Sequence, residues 1–543
     1  MFAVSNAVNI EQRLTALENL VAQQAVELTE AREANKKLQR ERDEYKNLVK
    51  HLREENERLK RGLLGQKAER LPKNDAQLSL AIMGLMLDKD AAGRNPEPPV
   101  VEQVVVEHTR KKPVRKAFSD ELPRVTIELL PPEVEKEGLD AFEYIGSDTR
   151  EVFERRPASN VIVQLVYKKY IRKERQAGSS TQVLRAPSVE LPIERGLAGP
   201  NALAETIVRR WQDHQPLNRL SGIYAREGVD LAKSTICTWH EALAEPASVL
   251  VDAMFQDAFS APYLCTDATG VLVQAPERCR SGHFWVLVAP EKHVLFRYSK
   301  RHDSAAVDEM LAGYRGYLVA DAHSVYEHLY RDGNVVEVAC WAHCRRYVFK
   351  ALPSDPLRSK VALSQMAALF AIERTIANSP RKKKEEVRRQ KSKPIVEQFF
   401  QWVDEQWPLV LDDTPIHDAL RYARNQRLAL QRFLDDGRLP MHNNISELNL
   451  RREACGRKNW LFVGNDDAAS VNATFVSLLA SCQLHGIEPL GYLRDLFILL
   501  PSWPRHRVLE LAPAYWRQTL EQPETQQKLL ANVFRRIVLG SLP

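Results

Sequence analysis

The sequence predicts a multidomain α+β protein, and three patterns indicate this fold class. Residues 10–64 carry apolar side chains at a seven-residue period, residues 258–352 alternate between strand and helix patterns, and residues 357–440 are helical in pattern and basic. A chain of 543 residues is long enough for three or more domains. Its net charge of only +6 permits binding to nucleic acid without requiring it.

The N-terminal segment, residues 8–70, is predicted to form a long coiled-coil helix. When residue 14 is taken as the first core position of the repeat, eleven of the fifteen core positions up to residue 63 are apolar. Asn35 and Asn56 fall on core positions, which favours a parallel dimer in a fixed register. The alternative is a surface helix packed on its own domain, but such a helix would need a broader apolar stripe.

Replacing Leu38 and Leu52 with lysine is therefore expected to convert a homodimer, or a larger oligomer, into monomers. Both leucines occupy core positions of the repeat, where a buried and unpaired ammonium group is costly. The molar mass measured by light scattering checks this expectation. An unchanged mass would mean that any dimer contact is built elsewhere in the chain.

A linker and a small β-rich domain are predicted to follow. Residues 71–118 are assigned to the linker, because their proline-rich stretch and the basic run Arg110–Lys116 cannot bury a core. Residues 119–200 show patterns of short strands, one of them Val161–Tyr167. This stretch contains no cysteine, so we predict no structural zinc there.

Residues 201–250 contain a predicted helix-turn-helix. Apolar residues recur at helical spacing on both sides of Gly228, and Lys233–His240 would be the second helix, the one that reads bases. An ordinary helical hairpin would give a similar pattern. Three residues at the start of the second helix are candidate DNA contacts: Lys233, Ser234 and Thr235.

Residues 255–355 are predicted to form a mixed sheet. The first three strand patterns have hairpin-length connections, and a helix at Ser304–Leu311 precedes the fourth. This order is typical of an RNase H-like sheet, in which the first and fourth strands are neighbours. The five predicted strands are Tyr263–Thr266, His283–Ala289, Val294–Tyr298, Tyr317–Ala320 and Val335–Cys340.

Three acids are candidates for one site. Asp267 and Asp321 each end a short apolar run, which would place their carboxylates at strand ends, and Glu447 lies on a probable helix rich in Asn and Arg. Three converging carboxylates bind hard divalent cations such as Mg²⁺, and a pair of such ions promotes phosphodiester chemistry. Aspartates at strand ends more often form turns or caps, so spacing alone does not establish a metal site.

The motifs around these acids resemble those of the insertion-sequence-66 family of bacterial DDE transposases. The resemblance rests on D-A-T-G at Asp267, V-A-D-A-H at Asp321, N-N-x-x-E at Glu447, and above all G-R-K-N-W-L-F-V-G. It extends to G-I-E-P-L-G-Y-L-R-D-L-F and L-A-P-A-Y-W-R near the C terminus, and it covers nearly the whole chain in the expected order. The resemblance implies cutting of element ends and joining of the freed 3′ hydroxyls to target DNA.

The resemblance also implies roles for individual residues. Asp267, Asp321 and Glu447 would be the catalytic residues and the ligands of two Mg²⁺ ions, with Mn²⁺ as a substitute. Six residues would hold DNA phosphates nearby: Asn443, Asn444, Arg451, Arg452, Arg457 and Lys458. Trp460 is open to two interpretations, stacking on an unpaired base or packing in the core, and packing is favoured.

Four further features complete the sequence prediction. Residues 119–200 stand where the family usually carries a cysteine zinc finger. Cys340, His343 and Cys344 offer three potential zinc ligands within five residues, but caps and packing explain them better than a metal does. Residues 356–440 would be a helical, basic insertion that grips DNA, and residues 441–543 the second part of the catalytic domain with the C-terminal tail.

Other functions stay open at this point. Departures from the family pattern at Ala268, His442 and Leu448 favour the alternative of a catalytically weakened, transposase-derived DNA-binding regulator. A structural coiled-coil adaptor would leave the basic second half of the chain unexplained.

Seven scattered cysteines, and the lack of a signal peptide or a long apolar run, predict a cytoplasmic bacterial protein that does not enter membranes. Its expected partners are DNA, a second copy of the chain and, as an open question, small accessory proteins.

Overall fold

The computed structural model describes residues 23–36, 122–156, 159–172 and 183–540, together with residues 21, 39, 42, 118 and 120. Residues 23–36 are helical, and every one of them is exposed. A helix in this stretch agrees with the N-terminal prediction, whereas its pairing with a second helix stays a prediction. The remainder of residues 8–70, including Leu38 and Leu52, and nearly all of the predicted linker lie outside the described residues.

The β-rich region is a sheet with two long strands rather than a set of short ones, so the predicted strand length was wrong. Its elements are β1 (Arg124–Leu129), α1 (Pro132–Glu137), β2 (Phe142–Arg156), β3 (Ser159–Arg172) and β4 (Leu184–Arg185). The β2–β3 pair is antiparallel, and β1 runs parallel to β3 on its other side. Charged residues that interrupt the apolar pattern are cross-strand partners, as in the Lys169–Asp148 ion pair of 2.6 Å.

Three helices follow; a turn separates the second from the third, and the third is far longer than predicted. The elements are α2 (Pro200–Ile207), which continues as a π-helical turn at Val208–Gln212, α3 (Leu217–Arg226) and α4 (Lys233–Ala258). Gly228 in the turn has a φ of 83°, which glycine adopts without strain. The predicted end at His240 was wrong, because apolar residues such as Leu250 and Met254 continue a buried stripe along α4.

A five-stranded mixed sheet forms the centre of the following region. Its elements are β5 (Tyr263–Val273), β6 (Arg280–Ala289), β7 (His293–Ser299), α5 (Ser304–Leu311), β8 (Gly316–Ala320) and β9 (Val335–Ala339). The strand order is β7-β6-β5-β8-β9, antiparallel from β7 to β5 and parallel from β5 to β9. The first and fourth strands of this sheet are therefore neighbours, in agreement with the prediction.

The end of the first strand was predicted wrongly. β5 runs to Val273, so Asp267 lies inside the strand rather than at its end. Pairing with β8 stops at Cys265, whereas pairing with β6 continues to Val273, and the hydrogen bonds to β6 keep the chain extended through the Thr-Gly sequence that resembles a turn. Asp267 consequently stands at the point where one side of β5 loses its neighbouring strand.

The stretch after β9 is helical, as predicted. It contains α6 (Trp341–Ala351), α7 (Pro356–Thr375), α8 (Arg381–Val387), α9 (Lys393–Gln406), α10 (Pro415–Asn425) and α11 (Arg427–Gln431). Trp341 is fully buried, with its ring edge-on to those of Phe399 and Phe433. The basic residues of this stretch are not all exposed. Arg388, which follows α8, is buried and its guanidinium pairs with Glu373.

The chain then returns to the sheet. Its last helices are α12 (Asn444–Trp460), α13 (Asp466–Leu484), α14 (Pro489–Leu499), α15 (Trp516–Glu521), α16 (Pro523–Ala531) and α17 (Val533–Leu539). Helix α13 covers the outer edge of β7, where the Ser477 hydroxyl accepts from the Phe296 N–H at 2.7 Å and the Ser481 hydroxyl accepts from the Val294 N–H at 3.1 Å. In the described part of the chain, no helix is long and apolar enough to cross a membrane.

Candidate active site

Asp267 is the most perturbed acid of the predicted trio. Its carboxylate accepts a hydrogen bond from the Ala268 N–H at 2.7 Å. The pKa of Asp267 is raised to about 7, chiefly by burial and also by the charges of Asp321 and Glu447, while the Ala268 N–H and Arg346 oppose the rise. The three predicted acids are thus near enough for their charges to act on one another.

Different elements carry the other two acids. Asp321 follows the last residue of β8, the strand that pairs in parallel with β5, and it is half-buried. Glu447 is half-buried in the first turn of α12. Two sheet strands and one returning helix therefore bring together carboxylates that are 54 to 180 residues apart in the sequence.

Asn443 positions the start of α12, and the expectation that it contacts phosphate was wrong. Its side chain is completely buried and donates a hydrogen bond from Nδ2 to the Thr266 carbonyl at 2.8 Å. Its backbone N–H donates to the Cys340 sulfur at 3.2 Å. Asn443 therefore ties the helix of Glu447 to the strand residue that precedes Asp267.

The remaining predicted DNA contacts fall into two groups. Asn444, Arg451 and Lys458 are exposed along α12, and at the start of α4 Lys233 and Ser234 are exposed and Thr235 is half-buried. The other two arginines are engaged within the protein. Arg457 donates to the Thr269 hydroxyl at 2.9 Å and to the Gly270 carbonyl, and Arg452 donates to Gln212 at 3.0 Å. Arg452 is half-buried and burial lowers its pKa, and its contact with a phosphate stays a prediction.

Two residues of α6 belong to this site although the sequence analysis did not assign them to it. Arg346 Nη2 lies 2.9 Å from Glu447 Oε1, and His343 Nε2 lies 3.6 Å from the same oxygen. A spacing of three residues places His343 and Arg346 on one face of the helix, and this was the signal available in the sequence. Cys344 is fully buried within the hydrophobic core, which agrees with a packing role for this residue.

The donor groups of the three acids suit a divalent cation. Carboxylate oxygens are the ligands that Mg²⁺ and Mn²⁺ prefer, and burial together with the charges of Asp321 and Glu447 raises the pKa of Asp267. Among the residues described, no three His, Cys, Asp or Glu side chains are grouped closely enough to hold a metal ion as they stand. The chemistry of the three acids fits the ion, and Glu447 would have to exchange its Arg346 contact for it.

Replacing Arg346 with glutamine is expected to strengthen Mn²⁺ binding several-fold, because the substitution frees a Glu447 oxygen and removes a competing cation. Calorimetric titration of the full-length protein with Mn²⁺, without DNA, measures the change. Arg345→Gln, one residue earlier on the same helix, removes an equal charge and is the matched control. Weaker binding by the Arg346 variant would instead mean that the ion pair holds Glu447 ready for the metal.

A mixed sheet and a returning helix that hold three acids beside an arginine define a candidate site for metal-dependent phosphodiester chemistry. Comparison with known families places the chain more specifically. The description "Transposase IS66 family" matches residues 195–471, "Transposase C of IS166 homeodomain" matches residues 51–127, and "IS66 C-terminal element" matches residues 477–514. The first match covers half of the chain and contains all three acids. The chain belongs to the IS66 family of transposases.

Curated relatives match most of the chain. Uncharacterized protein y4hP of Sinorhizobium fredii (strain NBRC 101917 / NGR234) is 29% identical over 500 residues, which cover 85% of this chain and 88% of the relative. Uncharacterized protein y4qI of the same organism is 27% identical over 420 residues, covering 74% and 77%. The names of these relatives assign no activity, so the details of function depend on the site itself.

Proposed function

We propose that the protein binds the ends of an insertion element, cleaves them and joins the 3′ hydroxyls to target DNA by two-metal phosphoryl transfer. One observation carries this proposal. Asp267 is an acid with a pKa raised to about 7, and the charges of Asp321 and Glu447 contribute to that rise within the family-matched region. Partly buried acids of like charge are costly unless they serve to bind a cation.

The sheet supports an RNase H-like catalytic domain. In its order β7-β6-β5-β8-β9, with three antiparallel strands followed by two parallel ones, the first and fourth strands are neighbours, as expected for that fold. The two aspartates lie on neighbouring strands, and the helical residues 356–440 separate them in sequence from Glu447. Residues 356–440 therefore lengthen the chain between Asp321 and Glu447, while the helix that carries Glu447 still packs beside β5.

Each acid would have a defined task. Asp267 and Asp321 would be the main ligands of the ions, and Glu447 would complete the second ion's coordination. Divalent ions bound there lower the pKa of an attacking water or hydroxyl and neutralise charge on the phosphate. Two hydrogen bonds to β5 keep the ligands in place. Asn443 bonds to Thr266, just before Asp267, and Arg457 bonds to Thr269, just after it.

Strand cleavage by the full-length protein tests the proposal. The substrate is a duplex copied from the DNA that borders the gene, incubated with Mg²⁺ or Mn²⁺, and the expected products are a cut at the element end and then joining to a target plasmid. Binding without metal-dependent cleavage would favour the regulator instead. The Arg346–Glu447 ion pair, which occupies a proposed metal ligand, and the departures at Ala268, His442 and Leu448 are the observations that favour the regulator.

DNA would contact two surfaces. Exposed Lys233 and Ser234 begin α4, where a helix entering the major groove could read bases, while exposed Arg451 and Lys458 on α12 would hold backbone phosphates. The N-terminal helix would supply self-association. Residues 201–245 cannot be deleted cleanly to test end recognition, because Leu220 and Ile236 belong to the buried core.

Substituting Lys233, Ser234 and Thr235 together with alanine is expected to reduce the preference for end DNA over random DNA by at least about tenfold, since a lost base contact costs about 1–3 kcal/mol. Arg451→Gln with Lys458→Gln, the contrasting pair, should weaken both DNAs alike and reduce the salt dependence by about one unit for each lost phosphate contact. Fluorescence anisotropy at several salt concentrations measures both effects. An unchanged end preference in the triple variant would move recognition to another region, most plausibly residues 119–190.

A further inference from the structure

Three large apolar side chains are exposed where α12 ends against β5. They form what we call the apolar tip: Leu272, Leu461 and Phe462, with 50%, 64% and 41% of their surfaces exposed. Single exposed apolar residues are ordinary on protein surfaces. Here, however, two are consecutive in the chain, and backbone pairing brings the third alongside them.

The backbone holds this tip in place. The Val463 N–H donates to the Leu272 carbonyl at 2.9 Å, and the Gln274 N–H donates to the Val463 carbonyl at 2.8 Å. Leu461 has a φ of 64°, a conformation unfavourable for a residue with a side chain. The segment therefore keeps two apolar side chains outside the core with a strained backbone anchored to the sheet.

Trp460, the residue proposed from the sequence to stack on a base, is already engaged inside the protein. The Arg210 guanidinium lies 5.4 Å from the centre of its ring. Gly456 gives the ring its space, because a Cβ at that position would stand 2.7 Å from Trp460 Nε1. The favoured interpretation of Trp460 as a packing residue therefore fits these contacts. The side chains that could meet a base are those of the next two residues, Leu461 and Phe462.

Charge around the tip suits a polyanion. Exposed Lys458 lies three residues before Leu461, and exposed Arg278 lies on the loop that follows β5. Asp466, just beyond the tip, is paired with Arg280 and Lys300, so its charge is compensated. The exposed acids Glu277 and Asp467 are also close in sequence, but they leave the cations in excess.

We propose that the apolar tip is a wedge that inserts between stacked base pairs of the element's DNA. Leucine and phenylalanine are used in this way by proteins that kink duplexes. Thirteen residues of helix separate Glu447 from Trp460, which corresponds to roughly 20 Å along α12. For a duplex that runs along α12, at about 3.4 Å per base step, the wedge would act roughly six steps from the strand being cut.

DNA is a better occupant for this tip than a second protein chain. A specific protein interface buries on the order of 1,000 Å² or more, which three side chains cannot supply. A base step, in contrast, accepts one or two side chains, and the adjacent cations match its phosphates. This wedge rests on the proposed function, because it requires that the protein bind element DNA.

The wedge is tested with 2-aminopurine, a base whose fluorescence rises when it is unstacked. Duplexes copied from the DNA bordering the gene carry the probe at successive positions, and full-length protein is added with Ca²⁺ so that binding occurs without cutting. We expect a several-fold rise at one step about six positions from the cut. The double variant Leu461→Gly, Phe462→Ala should bind within about threefold of the parent and lose that rise, since glycine tolerates the Leu461 backbone.

Leu428→Ala is the matched control, because Leu428 is 71% exposed but lies on α11, away from the tip. It should leave the fluorescence rise intact. Tight DNA binding by the parent with no unstacked position, or a rise that survives in the double variant, would overturn the wedge while leaving the proposed function standing. A change of molar mass in the double variant without DNA would assign the tip to a protein contact, and failure of the parent to bind DNA would overturn both proposals.

Discussion

Asp267→Asn, Asp321→Asn and Glu447→Gln are each expected to abolish strand cleavage while leaving DNA binding largely intact. Each substitution keeps the shape of the side chain but removes a charged metal ligand, and metal-assisted steps depend on several kcal/mol of charge stabilisation. The expected loss is therefore several orders of magnitude. A gel assay on end-containing duplexes with Mg²⁺ measures cleavage, and anisotropy on the same duplexes measures binding.

Glu453→Gln is the matched control for these variants. Glu453 lies on the same helix as Glu447, and burial raises its pKa to about 7, but its carboxylate accepts from Asn472 at 3.2 Å. Its replacement should leave cleavage near the parent level. Near-normal cleavage by any one of the three site variants would remove that residue from the catalytic set.

The metal-free protein is expected to lose stability between about pH 4 and pH 7, and Asp267→Asn should remove part of that loss. In the folded protein the pKa of Asp267 is raised to about 7 from an ordinary value of 3.8. As the pH rises, the unfolded chain therefore loses the Asp267 proton at a lower pH than the folded protein does, which favours unfolding. The contribution of Asp267 to the free energy of unfolding is thus fully present below about pH 4 and is lost as the pH rises to about 7. A shift of about three units corresponds to at most about 4 kcal/mol at pH 8.

Thermal unfolding at pH 5 and pH 8 in the presence of a chelator measures this difference. At pH 8 the asparagine variant should melt at a higher temperature than the parent, whereas at pH 5 the two should be close. Added Mn²⁺ should then stabilise the parent more than the variant, because the ion replaces the missing positive charge. Parallel pH profiles for the two proteins would show that Asp267 is an ordinary solvated acid.

Much of the fold follows from local signals in the sequence. The helix Ser304–Leu311 was predicted with correct ends, because Asp303 before it accepts from the Ala306 N–H and caps its first turn. The end of β5 was missed because pairing with β6, a partner that no local pattern reveals, keeps a turn-like sequence extended. The two long strands of the β-rich region were shortened in the prediction for the same reason.

The sequence was enough to propose the three acids of the candidate site, but it did not show which way the neighbouring side chains point. Asn443 and Arg452 lie in the motif-rich stretch, and nothing local distinguishes a side chain that turns inward from one that faces DNA. Their partners, Thr266 and Gln212, are 177 and 240 residues away in sequence. Arg346 was missed because its relation to Glu447 depends on how α6 and α12 meet around the sheet.

The two serines of α13 restrict how other molecules can attach to this protein. Ser481 accepts from the Val294 N–H and donates to the Val294 carbonyl, and Ser477 accepts from the Phe296 N–H while its hydroxyl donates to the Ala473 carbonyl at 2.7 Å. The N–H groups of Val294 and Phe296 on the outer strand are therefore not available to an incoming strand. A peptide or a neighbouring subunit cannot lengthen the sheet by β-augmentation here, so recognition on this side depends on side chains, which substitution can alter one position at a time.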